Sequence, residues 1–222
     1  MENERLDEIG LKHNTDKASC HHDYLKKYQK YLPFDRKDSL RVLEIGVLEG
    51  ASVKTWADWF YNAEIIGLDR NPACKKTEQD RIKIEIGNQA DKNFLNYLTN
   101  KYKQFNFIVD DGSHLPDDVI ASFEHLFPNL VSGGIYCIED TCTSYWTEYD
   151  GGLLQSHTHI EYFKRLIDEV NFYGVYAPEP YSPTVRRDSV LMEYEKKRNH
   201  IYLGMDIESI LFTNSMVIIS KR

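Results

Sequence analysis

Phe105-Asn106-Phe107-Ile108-Val109-Asp110-Asp111-Gly112-Ser113-His114 is the stretch that decides how this chain folds. An apolar, β-rich run stops at two carboxylates and a glycine, the pattern of a strand that ends at the rim of a sheet. The same event recurs at Gly134-Ile135-Tyr136-Cys137-Ile138, which stops at Glu139-Asp140. If the two runs are neighbouring parallel strands, their ends lie roughly 5 Å apart and up to four carboxylates meet in one crevice. Such a cluster repels itself, and a bound cation or a shared proton is the low-cost resolution. His114, three residues beyond Asp111, adds a group able to carry a proton near neutral pH.

Further strands are expected at Leu40 to Ile45, Glu64 to Leu68 and Ile82 to Ile86, with helical spacing at Ala51 to Phe60, Asn93 to Lys101 and Pro116 to Phe127. Strands alternating with helices imply right-handed βαβ units and a mostly parallel, Rossmann-like α/β sheet. Ser209 to Phe212 and Met216 to Ile219 flank Thr213-Asn214-Ser215, which reads as an antiparallel hairpin finishing that sheet. Two amino-terminal helices, Glu2 to Leu11 and Tyr24 to Leu32, precede the first strand. The expected organisation is one domain: a helical segment over 1–38, a cofactor-binding core over 39–140, an inserted acceptor region over 141–200 with a helix at His159 to Val170, and a closing hairpin over 201–222.

The 222 residues suffice for one full core, and 41% hydrophobic with 28% charged residues is ordinary for a globular protein. A formal net charge of -8 argues against general nucleic-acid or anionic-membrane binding. There is no signal-peptide pattern and no apolar run long enough to span a membrane, so cytoplasmic residence is the expectation. Cys20, Cys74, Cys137 and Cys142 form no CxxC pair, which leaves them as reduced thiols rather than zinc ligands or a disulfide framework.

Glu44-Ile45-Gly46-Val47-Leu48-Glu49-Gly50 is a strand-to-helix turn with glycine at its first and last positions but leucine in the middle. A dinucleotide fingerprint needs glycine there to let a pyrophosphate approach. Leu48 therefore disfavours NAD or FAD and leaves room for a nucleoside without a pyrophosphate. Asp69, closing the second strand, stands where a carboxylate can accept both ribose hydroxyls.

Taken in order, Leu43-Glu44-Ile45-Gly46, Gly67-Leu68-Asp69, Gly87-Asn88-Gln89, Asp110-Asp111-Gly112-Ser113-His114 and Gly133-Gly134-Ile135-Tyr136-Cys137-Ile138-Glu139-Asp140 resemble the class I S-adenosylmethionine-dependent methyltransferases. The nearest likeness is to the metal-dependent O-methyltransferases of the macrocin, macrolide-sugar and rhamnosyl type, a group with cephalosporin-hydroxylase-like members. Asn14-Thr15-Asp16-Lys17 and Thr143-Ser144-Tyr145-Trp146 resemble that group's GTDK and TSYW signatures. The resemblance implies S-adenosylmethionine held by Thr15, Glu44, Gly46, Asp69, Asn88, Gln89 and Asp110. It implies a metal on Asp111, Glu139 and Asp140, and His114 as general base. Members of the group commonly carry Asp where this chain has Asn88, whose amide offers a different donor and acceptor pattern. Oxygen-only ligands favour Mg²⁺, with Mn²⁺ or Ca²⁺ behind it. The implied partner is a small-molecule or glycan acceptor, with neither nucleic acid nor a membrane span, and association into a homo-oligomer stays open.

Blander readings compete. Asp111 and Ser113 are good capping residues for a helix starting near Pro116. His21 and His22 read as solvated loop residues, and Tyr145, Trp146 and Tyr149 as either loop packing or sugar-stacking surfaces. The rival functions are a nicotinamide-dependent oxidoreductase on the same fold and a non-catalytic metal- or nucleoside-binding module.

Overall fold

The computed structural model describes residues 5–167, 170 and 207–222. Seven strands form one sheet: β1 (Arg41–Ile45), β2 (Glu64–Asp69), β3 (Ile82–Ile86), β4 (Phe105–Asp110), β5 (Leu130–Glu139), β6 (Ile207–Thr213) and β7 (Met216–Lys221). Their spatial order is β3-β2-β1-β4-β5-β7-β6. The first five are mutually parallel, and β7 runs antiparallel to both β5 and β6. The hairpin read from Thr213-Asn214-Ser215 is thus present, with β7 slotted between β5 and β6. The region from 171 to 200, half of the expected acceptor insertion, lies outside the described residues.

Strand alternation assigns side chains to two layers. Val42, Phe107 and Val109 face the helices α1 (Leu6–His13), α2 (Tyr24–Tyr31) and α3 (Ala51–Trp59), where Trp56, Tyr28 and Phe107 pack edge to face at 5.1–5.7 Å. Leu43, Ile45 and Ile108 face α4 (Lys92–Tyr102), α5 (Pro116–Leu126) and α6 (His159–Arg165), around a second aromatic centre at Phe123. The helix expected over His159 to Val170 is present at its amino-terminal part. Trp56 is fully buried, and truncating such a side chain to alanine costs about 3–5 kcal/mol. No helix among the described residues is long and apolar enough to cross a membrane.

Register sets the site. Ile45 pairs with Leu68 on one side and Asp110 on the other, while Asp69 pairs with Ile86 and Asp110 with Ile138. The carboxyl ends of β1 to β5 therefore stand level. The chain crosses from the β1-β2-β3 half to the β4-β5 half between β1 and β4, the switch point at which open α/β sheets leave a crevice.

Candidate active site

A cavity of about 390 Å³ opens at that switch point, lined by Gly46, Leu48, Asp69, Asn88, Gln89 and the Asp111–His114 turn, with Asp16 and Asp140 at its edge. A volume in this range suits a small molecule. Gly46 has φ +89°, and a Cβ there would collide with the Asp111 carbonyl, so this glycine lets the first turn lie against the end of β4. Leu48 also sits in the left-handed region, at φ +50°, with its side chain 77% exposed at the rim. The middle of the turn thus presents a side chain where a pyrophosphate would need bare backbone.

Asp69 shows how tightly this half is wired. Its Oδ2 accepts the backbone N–H groups of Val47 (2.8 Å) and Leu48 (3.1 Å), and its Oδ1 accepts that of Asn71 (2.8 Å). Burial pushes the carboxyl up, but those three donors outweigh it and hold Asp69 below the usual carboxylate range. Gln89 is equally committed: Oε1 accepts the Ser113 N–H at 2.8 Å and Nε2 donates to Asp110 at 3.1 Å. Asn88 accepts the Ala90 N–H at 2.9 Å, closing a local turn at the cavity wall.

Neighbouring carboxylates in the DDGSH stretch have different fates because successive strand residues face opposite sides. Asp110 points under α5, where Ser122 (2.6 Å), Tyr136 (3.2 Å) and Gln89 bond it, and burial pushes it up to about 6. It does not line the cavity. Thr15 is likewise buried, its Oγ1 accepting the Lys17 N–H at 3.4 Å, and Glu44 is fully buried against Ser52 at 2.8 Å. Both lie behind the cavity wall. Asp111 does face the crevice and caps no helix: α5 starts after Leu115, with Pro116 in its first turn, and only Ser113 bonds the Leu115 N–H, at 3.3 Å.

Asp111, His114 and Asp140 bring one ligand atom each to within 4.8 Å of one another. His114 Nε2 stands 3.9 Å from Asp111 Oδ1 and 3.9 Å from Asp140 Oδ2. His114 (φ +59°) and Asp140 (φ +48°) both occupy the left-handed region, uncommon for residues with a Cβ though tolerated best by Asn, Asp and His. Glu139 lies just behind this trio, its Oε2 accepting Lys17 at 2.6 Å and its Oε1 accepting Tyr28 at 2.5 Å. Tyr24 donates to Asp140 Oδ1 at 2.5 Å.

Lys17 is the residue that reading the acidic pairs alone missed. Its side chain is 1% exposed, and its ammonium contacts Asp111, Glu139 and, at 3.4 Å, Glu44. Burial would lower its pKa, but these three carboxylates hold it well above its ordinary value. One ammonium cannot neutralise three carboxylates, so burial still raises Glu139 well above the carboxylate range and Glu44 to about 7. The self-repulsion expected of the cluster is therefore relieved from inside by a lysine. The available signal was Lys17 itself, in the Asn14-Thr15-Asp16-Lys17 motif.

A second cavity, of about 470 Å³, adjoins the first and shares His114 and Asp140 with it. Trp146 and Tyr149 stand in its wall, but Tyr145 does not.

No protein-family model matches the chain. It is 31% identical over 188 residues to a Streptomyces olivaceus 8-demethyl-8-(2-methoxy-alpha-L-rhamnosyl)-tetracenomycin-C 3'-O-methyltransferase, and 35% identical over 153 residues to the demethylmacrocin O-methyltransferase of Streptomyces fradiae. The alignments cover 80% and 66% of this chain. The chain is a homologue of these sugar O-methyltransferases. It spans under half of their length, 48% and 38% respectively. Among solved structures, MycE methyltransferase from the mycinamycin biosynthetic pathway, in complex with Mg, SAH and mycinamycin VI, superposes with a TM-score of 0.81 at 28% identity. That match covers 98% of this chain and 53% of MycE. The sheet and its flanking helices are the class I methyltransferase fold of this group.

Proposed function

We propose that the chain is an S-adenosylmethionine-dependent O-methyltransferase that methylates a hydroxyl of a sugar, or of a sugar-containing natural product or glycan, with the help of a divalent cation. The observation that carries the reading is the meeting of two cavities at His114 and Asp140, one sized for a nucleoside cofactor and one free for an acceptor. The tetracenomycin and macrocin relatives, and the Mg, SAH and mycinamycin VI in the MycE complex, support the same assignment.

The residues fit both groups. Asp69 keeps lone-pair capacity toward the ribose side of the cavity, Gly46 admits close approach, and Asn88 and Gln89 border the adenine end. Asp111 and Asp140 offer hard oxygens at the shared rim, with Glu139 as the third donor once Lys17 gives it up. When bound, S-adenosylmethionine supplies the methyl group on a sulfonium, and the cation polarises a chelated hydroxyl. His114 would accept the proton of the acceptor hydroxyl, and transfer of the methyl group from sulfur to that oxygen would give a methyl ether and S-adenosylhomocysteine. The turns that fix His114 and Asp140 supply positioning, the main contribution in a displacement of this kind. Trp146 and Tyr149, which follow Glu139-Asp140 in the chain and stand in the wall of the second cavity, contribute acceptor contacts.

Calorimetry with S-adenosylmethionine and turnover of a panel of glycosides, with and without exhaustive chelation, test the proposal together. Cofactor binding with chelator-sensitive methylation is the expected result. Full activity after chelation sinks the metal, and no cofactor binding sinks the methyltransferase reading.

A further inference from the structure

We propose that the second cavity is the acceptor site and that His22, on the amino-terminal turn, is a specificity-determining wall of it for a pyranoside; this rests on the methyltransferase reading above. The cavity is built from three distant parts of the chain: His21 and His22, then Trp146 and Tyr149, then Asn214 of the β6–β7 turn. Its floor is His114 and Asp140, the two groups that also border the nucleoside cavity. A hydroxyl placed on that floor is next to the proposed base and a proposed metal ligand.

The walls suit a sugar ring. Trp146, 49% exposed, and Tyr149 lie with ring centroids 6.0 Å apart, and Tyr149 also meets His114 edge-on at 5.9 Å. On the amino-terminal side the His22 ring lies parallel to Tyr24, 5.2 Å away and 16° from coplanar. Aromatic faces pack against the C–H face of a pyranose, while imidazole and amide groups bond its hydroxyls.

His22 is exposed, as expected of a loop residue, and the turn that carries it is held by backbone hydrogen bonds. The His22 backbone N–H bonds the Asp16 carbonyl at 2.9 Å, the His21 and Asp23 backbone N–H groups both bond the Ala18 carbonyl, and that of Tyr24 bonds the Lys17 carbonyl at 2.8 Å. The same short turn thus holds Asp16 at the nucleoside cavity, Lys17 in the acidic cluster and His22 at the acceptor wall. Tyr24 completes the connection by bonding Asp140.

The test uses protein saturated with S-adenosylhomocysteine and Mg²⁺, with methyl α-L-rhamnopyranoside as probe and saturation-transfer NMR as readout. Wild type should bind the probe. His22→Ala and Trp146→Ala should each weaken it by about threefold to tenfold, the worth of one aromatic contact. S-adenosylhomocysteine affinity, measured by calorimetry, should be unchanged, which also certifies the fold. Tyr97→Ala, an exposed aromatic on α4 that lines neither cavity, should change neither. Wild-type affinity in His22→Ala overturns the proposal, as does a wild type that binds S-adenosylhomocysteine but not the pyranoside; in both cases the methyltransferase reading survives. Failure of wild type to bind S-adenosylhomocysteine overturns both.

Discussion

The two halves of the crevice are held by different physics. Around Asp69 the partners are backbone N–H groups of nearby turns, two to 22 residues away in sequence. Around Asp111 and Glu139 the partners are side chains 94, 111 and 122 residues away, supplied by Lys17 and Tyr28. A backbone donor comes with the fold and survives most substitutions. A side-chain donor is one mutation from disappearing, so the acidic half should be the fragile one and the nucleoside half the robust one.

The largest effect should fall on catalysis at the shared rim. His114→Ala should lower the methylation rate by about 10²–10⁴-fold, the range of general acid–base catalysis, while sparing cofactor affinity. The deficit should shrink at high pH, where the acceptor hydroxyl ionises more readily, and pre-steady-state kinetics over a pH series would show it. A mutant whose main defect is cofactor affinity would move His114 into the nucleoside half and break the contrast.

Lys17→Met should cost about 3–5 kcal/mol in urea unfolding of the metal-free protein, because it leaves buried carboxylates without their counter-charge. Mg²⁺ should recover part of that loss by supplying positive charge from the cavity side. An unchanged midpoint would mean that protonation alone relieves the cluster.

Asp69→Ala should weaken S-adenosylmethionine and also cost about 1–3 kcal/mol of stability, since it orphans the donors of Val47, Leu48 and Asn71. The pH signature follows from the lowered pKa of Asp69. Its contribution is complete above the unfolded-state value of about 3.9 and is lost as pH falls through the lower folded value. Acid-unfolding curves of wild type and mutant should therefore differ most above that window and converge below it.

The smallest expected change is in Leu48→Gly. Leucine at φ +50° carries roughly 1–2 kcal/mol of backbone strain, and glycine's extra unfolded-state entropy offsets about 0.5–1 kcal/mol of the relief. A stability gain under about 1 kcal/mol by thermal unfolding is predicted. A loss instead would show that the Leu48 side chain supports the turn.

The same contrast explains what could be read from sequence. Strands, helices and the closing hairpin follow from local periodicity, and the level strand ends follow from parallel pairing. The turns at Gly46, Asp69 and Asn88 were legible because their chemistry is contiguous. Asp110 and Asp111 were not separable by composition; only the alternation of β4 against α5 sends one to Ser122 and the other to the crevice. Gln89 was legible as a cavity residue, but not as the strut between Asp110 and Ser113. Lys17, Tyr24 and Tyr28 act across more than 90 residues, so no window of sequence displays their role.

The β6–β7 turn has a consequence for how the site comes into being. Tyr24 donates to the Ser215 carbonyl, 191 residues away, Lys27 to that of Asn214, and the Thr141 N–H bonds Ser215 as well. During synthesis the earlier elements must wait, with one wall of the second cavity missing, until this turn leaves the ribosome. Such distant closures are slow, because chain entropy is lost before the contacts repay it. Catalytic competence should therefore appear late and all at once, and a series of nascent chains of increasing length should show Tyr24 protected only after Ser215 has emerged.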